Sequence, residues 1–246
     1  AITHIDNEKT RKYLLSKSHD ELADMIIRHG ISHPKFLKSV ASEAHASSSK
    51  IETSFFKSEI DDLLNSADEI SYHEVRSYVE ELGELANRIK GMIKKQPFAA
   101  AEILWYFLQR AIVTIEAAGI DDSDGDFGDF IIELGGPCSE AIRVSGYAPD
   151  SKEIVSSYFK ATDYGVEDCF TFILKSLPHS TLENLEIYAQ DQFARVKNKK
   201  NSWDSVSARY FLAAIMARLG KRREYREICK GDNSLLKEIK TFEKEN

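Results

Sequence analysis

Proline and glycine are scarce in this sequence: five Pro and 12 Gly among 246 residues, where average usage would give roughly 12 and 17. Sheet proteins spend such residues on their many turns, so the shortage points to long helices joined by few corners. Cysteine is scarcer still. Cys138, Cys169 and Cys229 are odd in number and share no paired spacing. That argues against a disulfide framework and a structural zinc site, and fits three reduced thiols in a cytoplasmic protein. No run approaches the ~18 consecutive apolar residues of a membrane span. The most apolar stretch, 98–115, is interrupted by Glu102, Gln109 and Arg110. The opening residues Ala1-Ile2-Thr3-His4 lack the basic-then-apolar order of a secretory signal. Also missing are a Gly-x-Ser-x-Gly elbow, a phosphate loop and a dinucleotide fingerprint. Spacing therefore names no catalytic residue and no cofactor, and the reading leans toward a non-enzymatic protein.

What is present suits a packed domain. Hydrophobic residues make up 42% and charged residues 30%, with a net charge of −7. The charge is uneven. Residues 195–246 carry 14 Lys and Arg against 7 Asp and Glu, while the preceding 194 residues carry 19 against 33. An acidic body and a basic C-terminal section either attract each other or serve a polyanionic partner, and the first reading is preferred.

Helical spacing recurs along the chain. Leu22, Met25 and Ile26 continue a pattern begun at Tyr13, Leu14 and Leu15, with Ser18 ahead of a first turn that holds Asp20. Gly30 and Pro34 punctuate it. Phe55, Phe56, Ile60, Leu63 and Leu64 form a second stripe. Leu82, Leu85, Ile89 and Ile93 form a third, on a segment that opens with a Ser71 and Glu74 capping pair. From Ala100 to Ile115 apolar residues step by three and four over four turns, after Pro97 and before Gly119. The spacing then predicts shorter helices over 127–134, ended by Gly135-Gly136-Pro137, and over 139–144, 150–161 and 166–177. A long helix follows from Thr181 to about Val196, then a polar turn at 198–202, and helices over 203–219, 222–229 and 234–245. No alternating strand is evident, so the fold class is all-α with about 10–13 helices.

Ala208, Phe211, Leu212, Ala214, Ile215 and Ala217, with Leu219-Gly220 and Glu224-Tyr225 beyond, resemble a tetratricopeptide-type hairpin. That favours stacked antiparallel hairpins, an α-solenoid, over a four-helix bundle. The expectation is one elongated helical-repeat domain over 1–246, with a subdivision into long helices over 1–120 and shorter ones over 121–246.

Three segments carry a family resemblance: the run from Gln96 through Trp105 to Leu108, the run Ile120-Asp121-Asp122-Ser123-Asp124-Gly125 through Asp129, and Asp163-Tyr164-Gly165-Val166. In order and spacing they resemble an uncharacterised bacterial family of helical-repeat proteins. A related helical region accompanies SWIM zinc fingers in larger proteins. The likeness spans about 70–195 well, and 10–70 and 195–235 more loosely. It implies an α-solenoid-like fold and no established activity, and gives Trp105, Asp121, Asp122, Ser123, Gly125, Asp163, Tyr164 and Gly165 structural roles. The zinc finger's own Cys-x-Cys…Cys-x-His pattern is absent from this chain.

Three places bear on function. The first is the acidic loop, where Asp122, Asp124, Asp126 and Glu133 fall at positions 1, 3, 5 and 12 of a calcium-loop register. Position 6, which needs Gly for its sharp turn, is Phe127. Capping of the helix that begins near Phe127 accounts for the same acids; calcium, in a metal-binding sensor or enzyme built on the 121–133 loop, is the secondary reading, and a surface for a cationic partner the third. The second place is Asp163-Tyr164-Gly165, which reads as a helix-to-helix corner. The third is the basic section. Arg195 to Lys230 carries 11 cations against three acids, with Lys199, Lys200, Arg222 and Arg223 as contacts for a polyanion. His29 and His33 are four apart, but Gly30 and Pro34 interrupt the segment and no third ligand is near. The expected partner is a protein or peptide. A nucleic acid is a less favoured partner, and no membrane is involved.

Overall fold

A computed structural model describes residues 7–47, 52–66, 70–117, 119–196 and 203–244. Thirteen helices account for most of them, and the nearest approach to a sheet among them is one isolated bridge between Ile70 and Ile120. The all-α expectation holds. The chain divides into two compact units, 1–50 and 51–246. Near 120/121 the Ile70 bridge clasps the chain and helices on either side pack together.

The first unit holds α1 (Asn7–Leu15), α2 (His19–Ser32) and α3 (Pro34–Ser47). Ser18 caps α2 through a reciprocal capping box: its Oγ accepts from the Glu21 amide at 3.2 Å, and Glu21 accepts from the Ser18 amide at 2.9 Å. Gly30 does not end α2. It sits inside the helix because a Cβ there would lie 2.8 Å from that of Leu37 on α3. The helix ends at Ser32, since Pro34 cannot continue it.

The second unit holds α4 (Thr53–Asn65), α5 (Tyr72–Met92), α6 (Pro97–Ala117), α7 (Asp126–Ser145), α8 (Ser151–Asp163), α9 (Cys169–Ser176), α10 (His179–Val196), α11 (Trp203–Arg218), α12 (Arg222–Ile228) and α13 (Asn233–Lys244). Their packing is local in sequence. The even-numbered helices pack in the succession α4, α6, α8, α10, and the odd-numbered ones in the succession α5, α7, α9, α11, α13. The rows are joined chiefly by α6 on α7 and α10 on α11. Leu82, Leu85, Ile103, Leu104, Phe107, Phe127, Ile131, Phe170, Phe211 and Ile215 are buried between them.

Helix α6 has the length and apolarity of a membrane span, yet 56% of that stretch is buried inside the fold. Its interrupting charges are matched on α4: Lys57 meets Glu102 at 2.5 Å and Arg110 meets Asp61 at 2.7 Å. Helix α11 is buried nearly all round, with every side chain from Phe211 to Ala217 inside.

Two predicted boundaries are corrected. The segments 127–134 and 139–144 form one helix, α7, that runs through Pro137. A proline clashes with the Cβ of the residue before it, and Gly136 has none. Burial of Leu134, Cys138, Ala141 and Ile142 offsets the ~3 kcal/mol that an interior proline costs. Gly135 serves packing, since a Cβ there would lie 2.7 Å from the carbonyl oxygen of Cys169 and 2.9 Å from its Cα. Helix α9 starts at Cys169 and not at Val166, because the Val166 amide turns back to close α8 on the Ala161 carbonyl at 3.1 Å.

Gly135→Ala should therefore destabilise the protein by roughly 2 kcal/mol, a fall in Tm of about 4–8 °C. Gly83→Ala, inside α5 with nothing within 4 Å of the new Cβ, should stabilise it by about 0.5–1 kcal/mol. Thermal and urea denaturation of the two variants checks both signs.

Candidate functional site

The acidic loop is built from the backbone outward. The Ile70 amide donates to Gly119 and the Asp121 amide to Ile70, at 3.2 and 3.0 Å, fixing the exit from α6. Asp122 then accepts from the amides of Phe127 and Gly128, both at 2.9 Å, one on each carboxylate oxygen. A helix begins with orphan N–H groups and a positive dipole end, so a carboxylate is well placed there. Gly125 takes φ +82° ahead of α7, a conformation that disfavours side chains. Ser123 donates to Asp121, and the Tyr72 hydroxyl donates to Asp124 at 2.6 Å, which raises the Tyr72 pKa. Asp126 and Glu133 are exposed, two turns apart on α7. Asp122 is engaged by the α7 amides, and among the described residues no group of three or more His, Cys, Asp or Glu is arranged to hold a metal ion.

The remaining family-motif residues lie in core and corners. Trp105 is 2% exposed, stands edge-on to Phe170 and donates to Glu153 at 3.4 Å. Gly165, at φ +72°, follows the Tyr164 cap of α8. The Val166 amide then bonds Ala161 in the six-to-one geometry of a Schellman ending. Val166 also reaches toward Gly128, where a Cβ would lie 3.5 Å from its Cγ1. The second and third motif segments thus meet at one joint. The His29 and His33 rings stack at 4.1 Å where α2 gives way to α3.

The basic section is largely tied inward. Arg222 pairs with Glu243 at 2.6 Å, and the Tyr225 hydroxyl donates to the same carboxylate. Lys221 reaches Glu186 at 2.5 Å. Arg218 donates to the carbonyls of Leu174 and Lys175, and Arg209 to that of Ile228. Arg223 is exposed. Lys199 and Lys200 lie outside the described residues.

Two concavities lie elsewhere. The larger, about 550 Å³, is an open groove between α8 and α10. Val155, Phe159 and Tyr188 give it an apolar floor, and Lys152, Lys160 and Asp163 stand on the α8 side. Phe159 is held by edge contacts to Tyr158 and Phe211, so the floor is fixed by the core. Across from it, Asp191 and Arg195 pair at 2.6 Å. Lys152 Nζ stands 5.6 Å from the Tyr188 ring, within cation–π range. Of the residues singled out from sequence, Asp163 and Arg195 belong to this groove. A signal for the others exists: Lys152, Ser156 and Lys160 share one face of α8, and Ile187 and Tyr188 break the polar face of α10. Only the fold brings those faces together.

The smaller recess, about 240 Å³, lies where the turn before α9 meets α11 and α13. Glu167, Asp168, Asp232 and Glu238 line it, and Asp232 pairs with Arg209 at 3.6 Å. Burial raises the pKa of Glu167 and of Glu238, and neighbouring aspartates raise both further. One Glu167 oxygen, Oε2, is buried without a hydrogen-bond partner.

No family model matches the chain, and no curated protein and no solved structure is similar to it at a significant level.

Asp122→Ala should cost about 1–2 kcal/mol, as loss of a helix cap does, with Tm insensitive to added calcium in both proteins. The recess has its own pH signature. A carboxylate whose folded pKa lies above its unfolded value binds protons better in the folded state. Stability is then lost as pH rises from the ordinary 4.5 through the raised value. Glu167→Gln and Glu238→Gln should each be more stable than the parent at neutral pH by about 0.5 kcal/mol after solvent screening, and should lose that advantage in acid. Urea denaturation at several pH values reads this.

Proposed function

We propose that this chain is a non-enzymatic, cytoplasmic interaction scaffold: a stack of antiparallel helical hairpins of tetratricopeptide-like, α-solenoid type that docks a protein or peptide partner in the groove between α8 and α10. The observation that carries the reading is that groove. It is open, it has an aromatic floor braced from the core by Tyr158 and Phe211, and it carries both charge signs along its rims. Concave, largely apolar surfaces with a few placed polar groups suit side-chain recognition. The alternation of helices into two rows, each packed on its neighbours along the chain, supports a solenoid stack, in which such grooves arise between successive helices. The family resemblance of residues 96–108, 120–129 and 163–166 points the same way, and its motif residues serve α7, α8 and the joint between them. A protein partner is preferred to a polyanion because Arg209, Arg218, Lys221 and Arg222 are engaged within the fold.

The test is a displayed random-peptide library panned against the full chain, with affinities of enriched peptides measured by fluorescence polarisation. Tyr188 is 36% exposed, so Tyr188→Ala should leave Tm within a few degrees while weakening those peptides by roughly tenfold or more. Enriched peptides that bind Tyr188→Ala as well as the parent place recognition elsewhere and overturn the reading.

A further inference from the structure

We propose that the occupant of the α8/α10 groove is an acidic peptide segment, with two carboxylates flanking an aromatic or bulky aliphatic side chain. The inference rests on the docking role proposed for this groove and adds the chemistry of the partner. Its basis is the balance of charge along the rims. On α10, Asp191 and Arg195 neutralise each other at 2.6 Å. On α8, Lys152 and Lys160 are both exposed, and among the described residues neither ammonium meets a carboxylate. Asp163, at the last position of α8, supplies one negative charge at one end. The groove is thus a locally cationic strip on a body where acids outnumber bases 33 to 19 over residues 1–194. The surplus of acids over residues 1–194 repels an acidic segment on average, and the two lysines beside the apolar floor relieve that repulsion locally.

Spacing sharpens the chemistry. Lys152 and Lys160 are eight residues apart on one helix face, about 12 Å at 1.5 Å per residue. Two carboxylates four residues apart on an extended chain span about 13 Å, so each meets one ammonium. The side chain midway between them then faces the floor formed by Val155, Phe159 and Tyr188. Lys152, over the Tyr188 ring at 5.6 Å, is held close to the position such a carboxylate would take.

The probe is a fluorescein-labelled nonapeptide, capped at its free end, with two glutamates four residues apart around a central tryptophan. A counterpart carries lysines in their place. Fluorescence polarisation with the full chain should show binding of the glutamate peptide at least roughly tenfold tighter than of the lysine peptide, weakening with added salt. Lys152→Glu combined with Lys160→Glu should invert that preference with Tm and circular dichroism unchanged. Both positions are exposed, and inversion is something a misfolded variant cannot give. The proposal is overturned by equal binding of both peptides, by preference of the parent for the lysine peptide, by a preference that survives the double substitution, or by binding of neither. Displacement of the glutamate peptide by a single-stranded oligonucleotide at equal concentration also overturns it, in favour of a nucleic acid. If library peptides depend on Tyr188 but are not acidic, the docking role stands and this chemistry falls. If they do not depend on Tyr188, the docking role itself falls.

Discussion

The second unit depends on how α7 is seated. Its first turn is closed by the Asp122 carboxylate, which takes one amide on each oxygen. Its middle is stripped of a side chain at Gly135, so that α9 approaches to backbone distance at Cys169. Between these points Phe127, Ile131 and Leu134 are buried, and they set α7 against α5, α6 and α9 at once. A helix held at its start and packed on three others fixes the spacing of both rows. The corner after α8 is part of the same joint, because Val166 closes α8 and also reaches Gly128. Burial of apolar area drives this assembly, and the cap and the close approach decide where each helix lies.

Charge is handled by matching across elements. Glu59, 4% exposed, meets Arg88 at 2.8 Å between α4 and α5, and Asp61 accepts from both Tyr106 and Arg110 of α6. The basic C-terminal section is drawn toward the acidic body at Lys221 and Glu186, and by Arg218 on the carbonyls that end α9. The polarity seen in the sequence is thus consumed partly in internal contacts. Among the described residues Lys152 and Lys160 along the α8 groove meet no carboxylate, and acids gather around the recess near α9, α11 and α13.

Much of the helix pattern was legible in the sequence. Spacing placed α5 and α6, Ser71 and Glu74 marked a helix start, and Asp150 caps α8 by accepting from the Lys152 amide at 2.9 Å. The spacing of the acidic loop points to a cap, with calcium as the alternative, and Asp122 lies on the α7 amides. The misreading at 135–137 has a physical source. Gly-Gly-Pro is a strong local stop, and only the approach of Cys169, more than thirty residues on, gives Gly135 another purpose. The same distance in sequence hid the groove and the recess. Lys152 and Tyr188 are unremarkable until α8 lies beside α10, and Glu167, Asp232 and Glu238 form no run that a linear reading could detect.

Recognition of a partner is proposed to take place between α8 and α10. Amide hydrogen exchange across the full chain, with and without saturating glutamate nonapeptide, tests it most directly. The account predicts added protection confined to residues 152–163 and 188–195. Protection centred on the recess of Glu167 and Glu238, or on α12 and Arg223, or none anywhere, contradicts it.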